Sequence, residues 1–365
     1  MKECRVKDIC IKGSSNLKQK DVEGKKGLYP VYGASGIISS IDTYHQENEY
    51  IAIVKDGSGI GRVSFMPPKS SVIGTMQYIL PKEGYDIRYI GYCLQSLGLN
   101  KYKQGAAIPH IYFRDYGERN IVVSENINEQ RRIVSYLDSS FKLIDEIKNK
   151  ALKSLTEAKA LFQSALAEAM EPKEGWEEKT LGELCSIIGG GTPSKKNSSY
   201  YNGDIPWATV SDMNCDYLQN TICKISDDGV KNSSTQIISK NEVIIATRVG
   251  LGKVCILCQD TAINQDLKGI IPKSDNKLIR KFIFWWFRSK SNYIVSNGVG
   301  ATVKGVKLSF VSNLKISLPD ISTQKQIVSH LDKLSSKVRA IEEKYQKMVE
   351  ECDALKQAML RDVFE

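Results

Sequence analysis

The chain has 365 residues, of which 41% are hydrophobic, and 51 Lys and Arg against 42 Asp and Glu give a net charge of +9. This length suggests two or three domains, and the hydrophobic share excludes a wholly disordered chain. No run of 18 apolar residues occurs and the N-terminus lacks the apolar core of a signal peptide, so neither a membrane span nor secretion is predicted. Nine cysteines without a secretory signal favour reduced thiols in the cytoplasm.

A first globular segment is predicted over residues 1–125. Residues 51–63 read Ile-Ala-Ile-Val-Lys-Asp-Gly-Ser-Gly-Ile-Gly-Arg-Val, which predicts two β-strands joined by a glycine turn. A helix is predicted over 87–99 and a glycine loop over 105–108. Short strands combined with a few helices indicate a mixed α/β module.

A long helix is predicted over residues 126–171, with Asn126 or Asn128 as its N-cap and Pro172 after its end. Apolar and small residues recur at alternating spacings of three and four, which is typical of a coiled-coil seam. The predicted seam is Leu137, Ser140, Ile144, Ile147, Ala151, Ser154, Ala158, Leu161 and Ala165. Phe141, Leu155 and Phe162 widen the apolar stripe on one side.

The order of elements then repeats in residues 172–320. Residues 243–254 again predict a strand, a glycine turn and a second strand. A predicted helix over 278–293 and a glycine loop over 300–303 follow. This segment is therefore predicted to form a second module similar to the first.

A second long helix is predicted over residues 321–365, with Ser322 or Thr323 as its N-cap. Residues 129–171 and 323–365 align without a gap and are identical at 15 of 43 positions. Such a repeat indicates two similar modules attached to two similar helices, which can pair with each other within one chain. The alternative is a generic coiled-coil oligomerisation segment. The predicted seam is Leu331, Leu334, Val338, Ile341, Tyr345, Met348, Cys352, Leu355 and Met359.

The excess positive charge belongs entirely to the two modules. Residues 1–125 carry 17 basic and 13 acidic side chains, and residues 172–320 carry 19 and 14. The helical segments are balanced, with 7 of each kind in 126–171 and 8 of each kind in 321–365. We therefore expect a polyanion to be attracted to the modules rather than to the helices.

Basic and amide side chains in the predicted turns and loops are the candidate contacts to a nucleic acid. Such side chains contact phosphates and base edges, and Tyr102 lies between two of the lysines. The candidates, chosen by charge and loop position, are Lys55, Arg62, Lys101, Lys103 and Gln104 in the first module and Lys195, Lys196, Arg248, Lys253 and Lys304 in the second.

Catalytic, nucleotide and metal sites have little support in the sequence. The three histidines, His45, His110 and His330, are isolated, and no known catalytic motif occurs. Residues 189–196 lack the Gly-Lys-Ser/Thr ending of a phosphate-binding loop. Cys255 and Cys258 are one close pair where a structural zinc site usually has two, so burial in a strand is the simpler interpretation. We therefore expect no catalytic residue, no metal and no cofactor on this chain.

Short motifs in both modules and at both helix starts resemble those of one known family. The first module carries Tyr-Pro-Val-Tyr-Gly-Ala-Ser-Gly-Ile at 29–37, and the second carries Gly-Gly-Thr-Pro-Ser at 190–194 and Tyr-Asn-Gly-Asp-Ile-Pro-Trp at 201–207. Each helix begins with Gln-x-x-Ile-Val, at 130–134 and 324–328. In the order module, helix, module, helix, the chain resembles the specificity subunit of a type I restriction–modification system. It departs from that family just before each helix, where the family often has a double proline.

The resemblance implies an α+β fold. Two similar mixed α/β target-recognition domains, residues 1–125 and 172–320, would be joined by two long conserved helices, residues 126–171 and 321–365. These helices would form an antiparallel intramolecular coiled coil, which would relate the domains by a pseudo-two-fold axis.

The resemblance also implies a function. The chain would be a non-catalytic subunit that binds a bipartite, asymmetric target in double-stranded DNA, with one half-site for each domain and a gap set by the helices. Its partners would be two modification (methyltransferase) subunits and the restriction, or translocase, subunits. S-adenosylmethionine, ATP and magnesium are expected on those partners only.

Two other classes of function stay open at the level of sequence. One is a coiled-coil adaptor whose modules bind protein partners rather than DNA. The other is an enzyme with an unrecognised site, such as a fused restriction–modification relative that lost its catalytic half.

Overall fold

The computed structural model describes residues 1–105, 109–300 and 302–364. Parts of the two predicted glycine loops, residues 106–108 and residue 301, lie outside the described residues, as does Glu365. Contacts between residues divide the chain into two compact units, 1–153 with 345–365, and 154–344. Each unit therefore contains one predicted module and a part of each long helix. Within the described ranges, no helix is both long and apolar enough to cross a membrane.

The first module consists of short strands and helices that end at the first long helix. Its strands are β1 (Lys2–Arg5), β2 (Cys10–Ser14), β3 (Tyr29–Gly33), β4 (Gly36–Ile41), β5 (Tyr50–Val54), β6 (Val63–Met66), β7 (Ser71–Val72), β8 (Met76–Pro81) and β9 (Asn120–Val123). Its helices are α1 (Val6–Ile9), α2 (Gln19–Val22), α3 (Ile87–Ser96) and α4 (Phe113–Gly117), with a 3-10 turn at Leu99–Tyr102 and the long helix α5 (Ile127–Ala169) after them. Strand β1 pairs with β9, the order β2-β8-β5-β6 forms an antiparallel sheet, and β4-β3-β7 forms a third sheet.

The second module repeats this arrangement with additional strands. Its strands are β10 (Glu177–Thr180), β11 (Cys185–Gly189), β12 (Ile205–Ala208), β13 (Tyr217–Leu218), β14 (Cys223–Ile225), β15 (Gln236–Ile238), β16 (Val243–Ala246), β17 (Val254–Leu257), β18 (Thr261–Ile263), β19 (Leu267–Pro272) and β20 (Lys315–Leu318). Its helices are α6 (Leu181–Leu184), α7 (Asp227–Lys231), α8 (Arg280–Ser296) and α9 (Leu308–Ser312), with 3-10 turns at Ser198–Tyr201 and Val210–Asp212 and the second long helix α10 (Ile321–Phe364) at the end. The sheets are β10-β20, β11-β19-β16-β17-β13 and β14-β12-β18-β15.

The core of each module lies between its central sheet and one helix. Strands β5 and β16 are buried along their whole length, which explains their continuous apolar sequences. Helix α3 covers the first sheet, and α8 covers the second with the run Phe282–Phe287, which is entirely buried. The two strand–turn–strand units and the two module helices predicted from the sequence are therefore confirmed.

The two long helices are confirmed and are antiparallel within each unit. In the first unit, Lys148 Nζ lies 2.6 Å from Asp353 Oδ1, and Lys356 Nζ lies 2.5 Å from Asp145 Oδ1. Moving forward along α5 therefore means moving backward along α10. In the second unit, the end of α5 and the start of α10 share one apolar cluster that includes Phe162.

The predicted seams are only partly right. Ile147, Leu161 and Leu355 are 42%, 71% and 50% exposed, and Ile341 is also exposed. Leu166, Leu360 and Phe364, which lie outside the predicted seams, are buried, and the predicted widening of the first stripe at Phe162 is confirmed. The reason is that each helix packs against a module as well as against its partner helix. The ring of Phe162 lies 5.8 Å from that of Trp285, and the ring of Phe364 lies 5.2 Å from that of Tyr89. The buried face is therefore wider than a heptad seam.

The caps of the two helices differ from each other. Asn126 accepts a hydrogen bond from the Asn128 amide, which confirms Asn126 as the N-cap of α5. The prediction of Ser322 or Thr323 as the second cap is wrong, because α10 already begins at Ile321. The Asp320 carboxylate accepts from both the amide and the hydroxyl of Thr323, and the hydroxyl bond is the main reason why the pKa of Asp320 is lowered. The predicted α+β fold, with two mixed modules and two paired long helices, is confirmed.

Candidate nucleic-acid interface

The turn between β5 and β6 and the segment after α3 form one surface in the first module. The amide of Ile111 donates to the carbonyl of Lys55 at 2.9 Å, which holds the two segments together. Gly61 is required at the turn because its φ is +81° and a Cβ atom would lie 2.4 Å from the Asn100 amide nitrogen. The glycine turn is therefore packed against the 3-10 turn that carries Lys101.

The five predicted residues of the first module are all near this surface, but they differ in exposure and in their contacts within the module. Lys101, Lys103 and Gln104 are exposed, and the Lys101 ammonium lies 5.4 Å from the centre of the Tyr102 ring. Lys55 is half-buried, and its Nζ is 3.8 Å from a carboxylate oxygen of the next residue. Arg62 donates from Nη2 to the carbonyl of Ala34 at 2.6 Å, so part of its guanidinium is used within the module.

A contact between Asp56 and His110 was missed by the sequence analysis. His110 Nδ1 lies 2.5 Å from Asp56 Oδ1, and the backbones of His110 and Gln104 exchange two hydrogen bonds of 2.8 Å. These bonds fix the two ends of the predicted glycine loop beside the turn. Because 54 residues separate the two side chains, no local pattern indicates that they meet.

The second module has the same arrangement at the corresponding positions. The backbones of Val299 and Gly305 exchange two hydrogen bonds of 2.9 and 3.0 Å, and Gly305 forms a backbone bridge with Arg248. Gly252 has a φ of +84°, and a Cβ atom there would lie 2.3 Å from the Ser291 hydroxyl at the side of α8. A tight glycine turn is thus again packed against a helical segment. The loop next to it is closed at its base, meaning that backbone hydrogen bonds join its two ends.

The basic residues of this second turn have different surroundings. Arg248 is exposed, and its Nη1 lies 3.8 Å from Asp266 Oδ1. Lys253 Nζ donates to the carbonyl of Val210 at 3.4 Å and to Asn214 Oδ1 at 3.1 Å, so it supports the module. Lys304 is exposed in the adjoining loop.

Lys195 and Lys196 lie in the exposed loop after β11, and a chain of contacts connects that loop to Arg248. The Thr192 hydroxyl donates to Gln265 Oε1, and Gln265 Nε2 donates to Asp266 Oδ2 at 3.1 Å. The preceding glycines serve close packing rather than a phosphate cradle, because a Cβ atom on Gly190 would lie 2.2 Å from the carbonyl oxygen of Ile263.

Lys268 is a further basic residue that the sequence analysis did not identify. Its Nζ donates to the carbonyls of Gln265 and Leu267 at 2.9 and 3.0 Å. Burial lowers the pKa of Lys268, with a smaller lowering contribution from Arg248 and an opposing one from Asp266. Lys268 lies in β19, and the candidates were chosen from turns and loops, so it was not among them. A cationic surface on tight turns can bind a polyanion, because Lys and Arg contact phosphate oxygens.

The start of each long helix is fixed to its module by a buried glutamine. Gln130 Oε1 accepts from the Asp86 amide at 2.7 Å, and its Nε2 donates to the carbonyls of Gly84 and Ser124 at 3.1 and 2.8 Å. Gln324 makes the same three bonds, to the Ile279 amide and to the carbonyls of Lys277 and Pro319, each at 2.9 Å. Both side chains are fully buried. The motif shared by the two helix starts is thus explained by one repeated structural role.

A second repeated contact follows two turns later in each helix. Asp138 accepts from Arg88 Nη2 at 2.6 Å and from the Tyr92 hydroxyl, and Asp332 accepts from Lys281 Nζ at 2.8 Å and from Trp285 Nε1 at 3.0 Å. The hydrogen bond to Asp332 is the largest cause of the raised pKa of Lys281. Both contacts join a long helix to the helix that covers the module sheet.

Asp216 adds a charged contact between the second module and α10. Its carboxylate lies 3.0 Å from Arg288 Nη1 and also accepts from Arg339 Nη2, and only 11% of the Asp216 side chain is exposed. We expect Asp216→Ala to lower the free energy of unfolding of the second unit by about 1–2 kcal/mol, because two half-exposed guanidiniums lose their shared carboxylate. Urea denaturation measures the change. The exposed Asp204, 3.8 Å from Lys224, provides the matched control, and an effect of Asp204→Ala as large as that of Asp216→Ala would contradict this role.

A metal site has no support within the described ranges. No group of three or more His, Cys, Asp or Glu side chains that could hold an ion occurs among them. Cys255 lies inside β17, and burial raises the pKa of its thiol to about 12. A buried thiol of this kind is a poor ligand because metals bind the thiolate. The interpretation as a buried strand residue is therefore confirmed for Cys255 and wrong for Cys258, which follows β17 and is only partly buried.

Known proteins resemble this chain both in sequence and in fold. The sequence model described as "Type I restriction modification DNA specificity domain" matches residues 1–157 and 173–351. The Escherichia coli "Type I restriction enzyme EcoR124I/EcoR124II specificity subunit" is 28% identical over 70% of this chain, and the Methanocaldococcus jannaschii "Type I restriction enzyme MjaIX specificity subunit" is 30% identical over 44% of it. The chain spans 65% and 38% of the lengths of these two relatives.

A solved structure agrees with the fold. A chain from a study of "complex assembly and conformational transition of the type I R-M system" superposes with a TM-score of 0.77 at 18% identity, covering 99% of this chain and 96% of that one. The family model occurs twice and covers both modules. The chain therefore belongs to the family of type I restriction–modification specificity subunits, with two DNA specificity domains.

Proposed function

We propose that this chain recognises a bipartite DNA sequence for a type I restriction–modification complex, with one half-site read by each module. The observation that carries the proposal is the repeated surface: a basic glycine turn beside a loop closed at its base, once in each module. Exposed lysine and arginine side chains on these surfaces, such as Lys101 and Arg248, suit contacts with DNA phosphates.

The two surfaces differ in chemistry, which supports an asymmetric target. At the position where the second module presents Arg248 to solvent, the first module has Asp56 in contact with His110. Different donors and acceptors at equivalent positions favour different base edges. The two half-sites are therefore proposed to differ in sequence.

The proposal assigns the chemistry of the complex to other subunits. The chain is proposed to be non-catalytic and to act inside the cell, in the cytoplasm, where it directs two modification subunits and the restriction, or translocase, subunits to the DNA. S-adenosylmethionine, ATP and magnesium are proposed to bind those partners and not this chain. The predicted domain boundaries and the pseudo-two-fold relation of the modules belong to the same proposal.

The long helices are proposed to set the gap between the half-sites. Two DNA readers act in phase only at a defined separation, with about 34 Å for one helical turn of DNA. The antiparallel pairing of α5 and α10 within each unit supports this role, since paired helices keep a more constant end-to-end distance than a flexible linker does.

Selection from a random duplex library tests the proposal directly. The full chain, assembled with its modification subunits, is expected to enrich sequences with two short defined segments separated by a fixed number of undefined base pairs. Enrichment of one continuous motif would contradict the assignment of one half-site to each module. No enrichment, together with binding that is absent or insensitive to salt, would favour the protein-binding adaptor instead.

Arg248→Ala is expected to weaken DNA binding and to reduce the slope of log K against log salt by about one unit, as for one lost phosphate contact. Titration of the selected duplex at several salt concentrations measures both quantities. Lys240→Ala is the matched control, because Lys240 is an exposed lysine that precedes β16 whereas Arg248 follows it. An unchanged affinity and slope for Arg248→Ala would remove Arg248 from the interface.

A further inference from the structure

A groove of about 690 Å³ lies in the second module beside the candidate interface. The last turns of α8, helix α9 and residues 297, 299 and 305–307 of the connection between them line it. None of its lining residues is acidic, whereas Lys290, Lys307 and Lys315 all contribute to it. The groove is therefore a site of concentrated positive charge that the ten candidate residues do not include.

Two of the three lysines are available to a ligand. Lys315 is paired with Glu178 at 2.7 Å. Lys290 and Lys307 form no salt bridge with any carboxylate in the described part of the chain, and Lys307 is exposed. Two unpaired ammonium groups on one groove favour an anionic ligand.

The remaining side chains of the groove also suit a phosphate–sugar backbone. Ser309 offers a hydroxyl group, which is a common partner of phosphate oxygens in DNA complexes, whereas the Asn297 amide already donates to the Tyr293 carbonyl at 2.8 Å. The rings of Tyr293 and Phe310 are stacked with centres 6.2 Å apart, and Tyr293 remains 53% exposed. This pair gives the groove an apolar wall with a phenol hydroxyl on it.

The groove is continuous with the surface proposed to bind DNA. Val299 and Gly305, which close the base of the loop beside Arg248, also line the groove. The amide of the next residue, Val306, donates to the Thr247 carbonyl at 2.9 Å. A ligand that contacts Arg248 therefore needs to extend only along this loop to reach Lys307.

At the positions equivalent to Lys290 and Lys307, the described part of the first module has no lysine. Arg88 of α3 and Lys281 of α8 make equivalent contacts with the long helices, to Asp138 and Asp332. When these two residues are aligned, Leu97 takes the position of Lys290. In each module, one residue of the loop forms a backbone bridge with the glycine turn: His110 bridges to Asp56, and Gly305 bridges to Arg248. Aligning His110 with Gly305 places Tyr112 at the position of Lys307. A contribution of the groove is thus confined to one module.

We infer that this groove binds the phosphate backbone of DNA next to the half-site of the second module, so that the contacts with the two half-sites are unequal in extent. The inference rests on the proposed function. A DNA strand is favoured over a protein segment because the free charge is positive, the lining lacks carboxylates and the groove continues the DNA-facing loop.

Hydroxyl-radical footprinting of the full chain, assembled with its modification subunits on the selected duplex, tests the inference. The double variant Lys290→Gln/Lys307→Gln is expected to lose protection of the sugars beside one half-site, while protection at the other half-site is retained. Its salt slope is expected to fall by about two units, as for two phosphate contacts. Lys290→Arg/Lys307→Arg is expected to keep both the protection of the sugars and the salt slope. Lys240→Gln is the matched control for loss of a surface lysine.

The possible outcomes separate this inference from the proposed function. A normal wild-type footprint that the double variant leaves unchanged overturns the inference alone. Equal loss at both half-sites overturns it as well, because the groove belongs to the second module. A wild-type complex that gives no footprint on any duplex overturns the proposed function and this inference with it.

Discussion

Replacing Gln130 or Gln324 with leucine is expected to lower the free energy of unfolding of the corresponding unit by about 3 kcal/mol. Each side chain is fully buried and makes three hydrogen bonds with backbone groups. Leucine has a similar volume, so the main cost is that one buried amide and two buried carbonyls lose their partner. Chemical denaturation followed by circular dichroism measures the loss.

Two further variants make this test specific. Gln326→Leu is the matched control, since Gln326 is exposed on the same helix and is expected to change stability by less than about 0.5 kcal/mol. Gln130→Glu keeps the shape but places a carboxylate oxygen against two carbonyls, so it is expected to be no better than leucine. Equal, small effects of Gln324→Leu and Gln326→Leu would show that the buried glutamine does not fix the helix.

Lengthening both long helices by one heptad is expected to change the gap between the half-sites and to leave each half-site sequence as it was. The first unit shows where the insertions should be placed. Because residues 145 and 148 face 356 and 353, an insertion after Ala151 in α5 corresponds to one after Val349 in α10. Seven residues add about 10 Å of helix, so the gap should lengthen by up to about three base pairs. Selection from the random duplex library measures the new gap.

The controls for the insertion follow from helix geometry. A heptad keeps the buried face in phase, whereas four residues rotate it by about 40° and should disturb packing. A heptad inserted in α5 alone leaves the partner helix short and is expected to destabilise the protein. A gap that stays constant in a stable double-heptad variant would contradict the proposed role of the helices.

The repeat made the architecture predictable. Because the long helices also pack against the modules, their buried faces were harder to predict. Identity between the two helix copies was sufficient to predict two modules and a pair of long helices. A heptad pattern, however, describes only the contact between helices. The sequence predicted Phe162 on the apolar stripe but not its contact with Trp285. It did not predict the burial of Phe364, which Tyr89 of the first module covers.

The position of the candidate basic residues next to glycine turns was predictable, but their contacts within the modules were not. Basic residues next to glycine turns lie together on the folded modules, as the motifs indicated. Their partners come from distant segments: Arg62 bonds to Ala34, and Arg248 approaches Asp266. Such contacts depend on sheet order, which the sequence alone did not give.

Methylome sequencing of a host with and without this chain, with its partner subunits present, shows whether the chain selects the sites that are methylated. We expect one bipartite motif, with two different half-sites and a fixed gap, to be methylated only when the chain is present. A variant whose second module is exchanged for that of a relative should change one half-site and retain the other. Recognition of a bipartite target by this chain would be disproved by a methylated motif that does not depend on the chain, or by a change of both half-sites after exchange of one module.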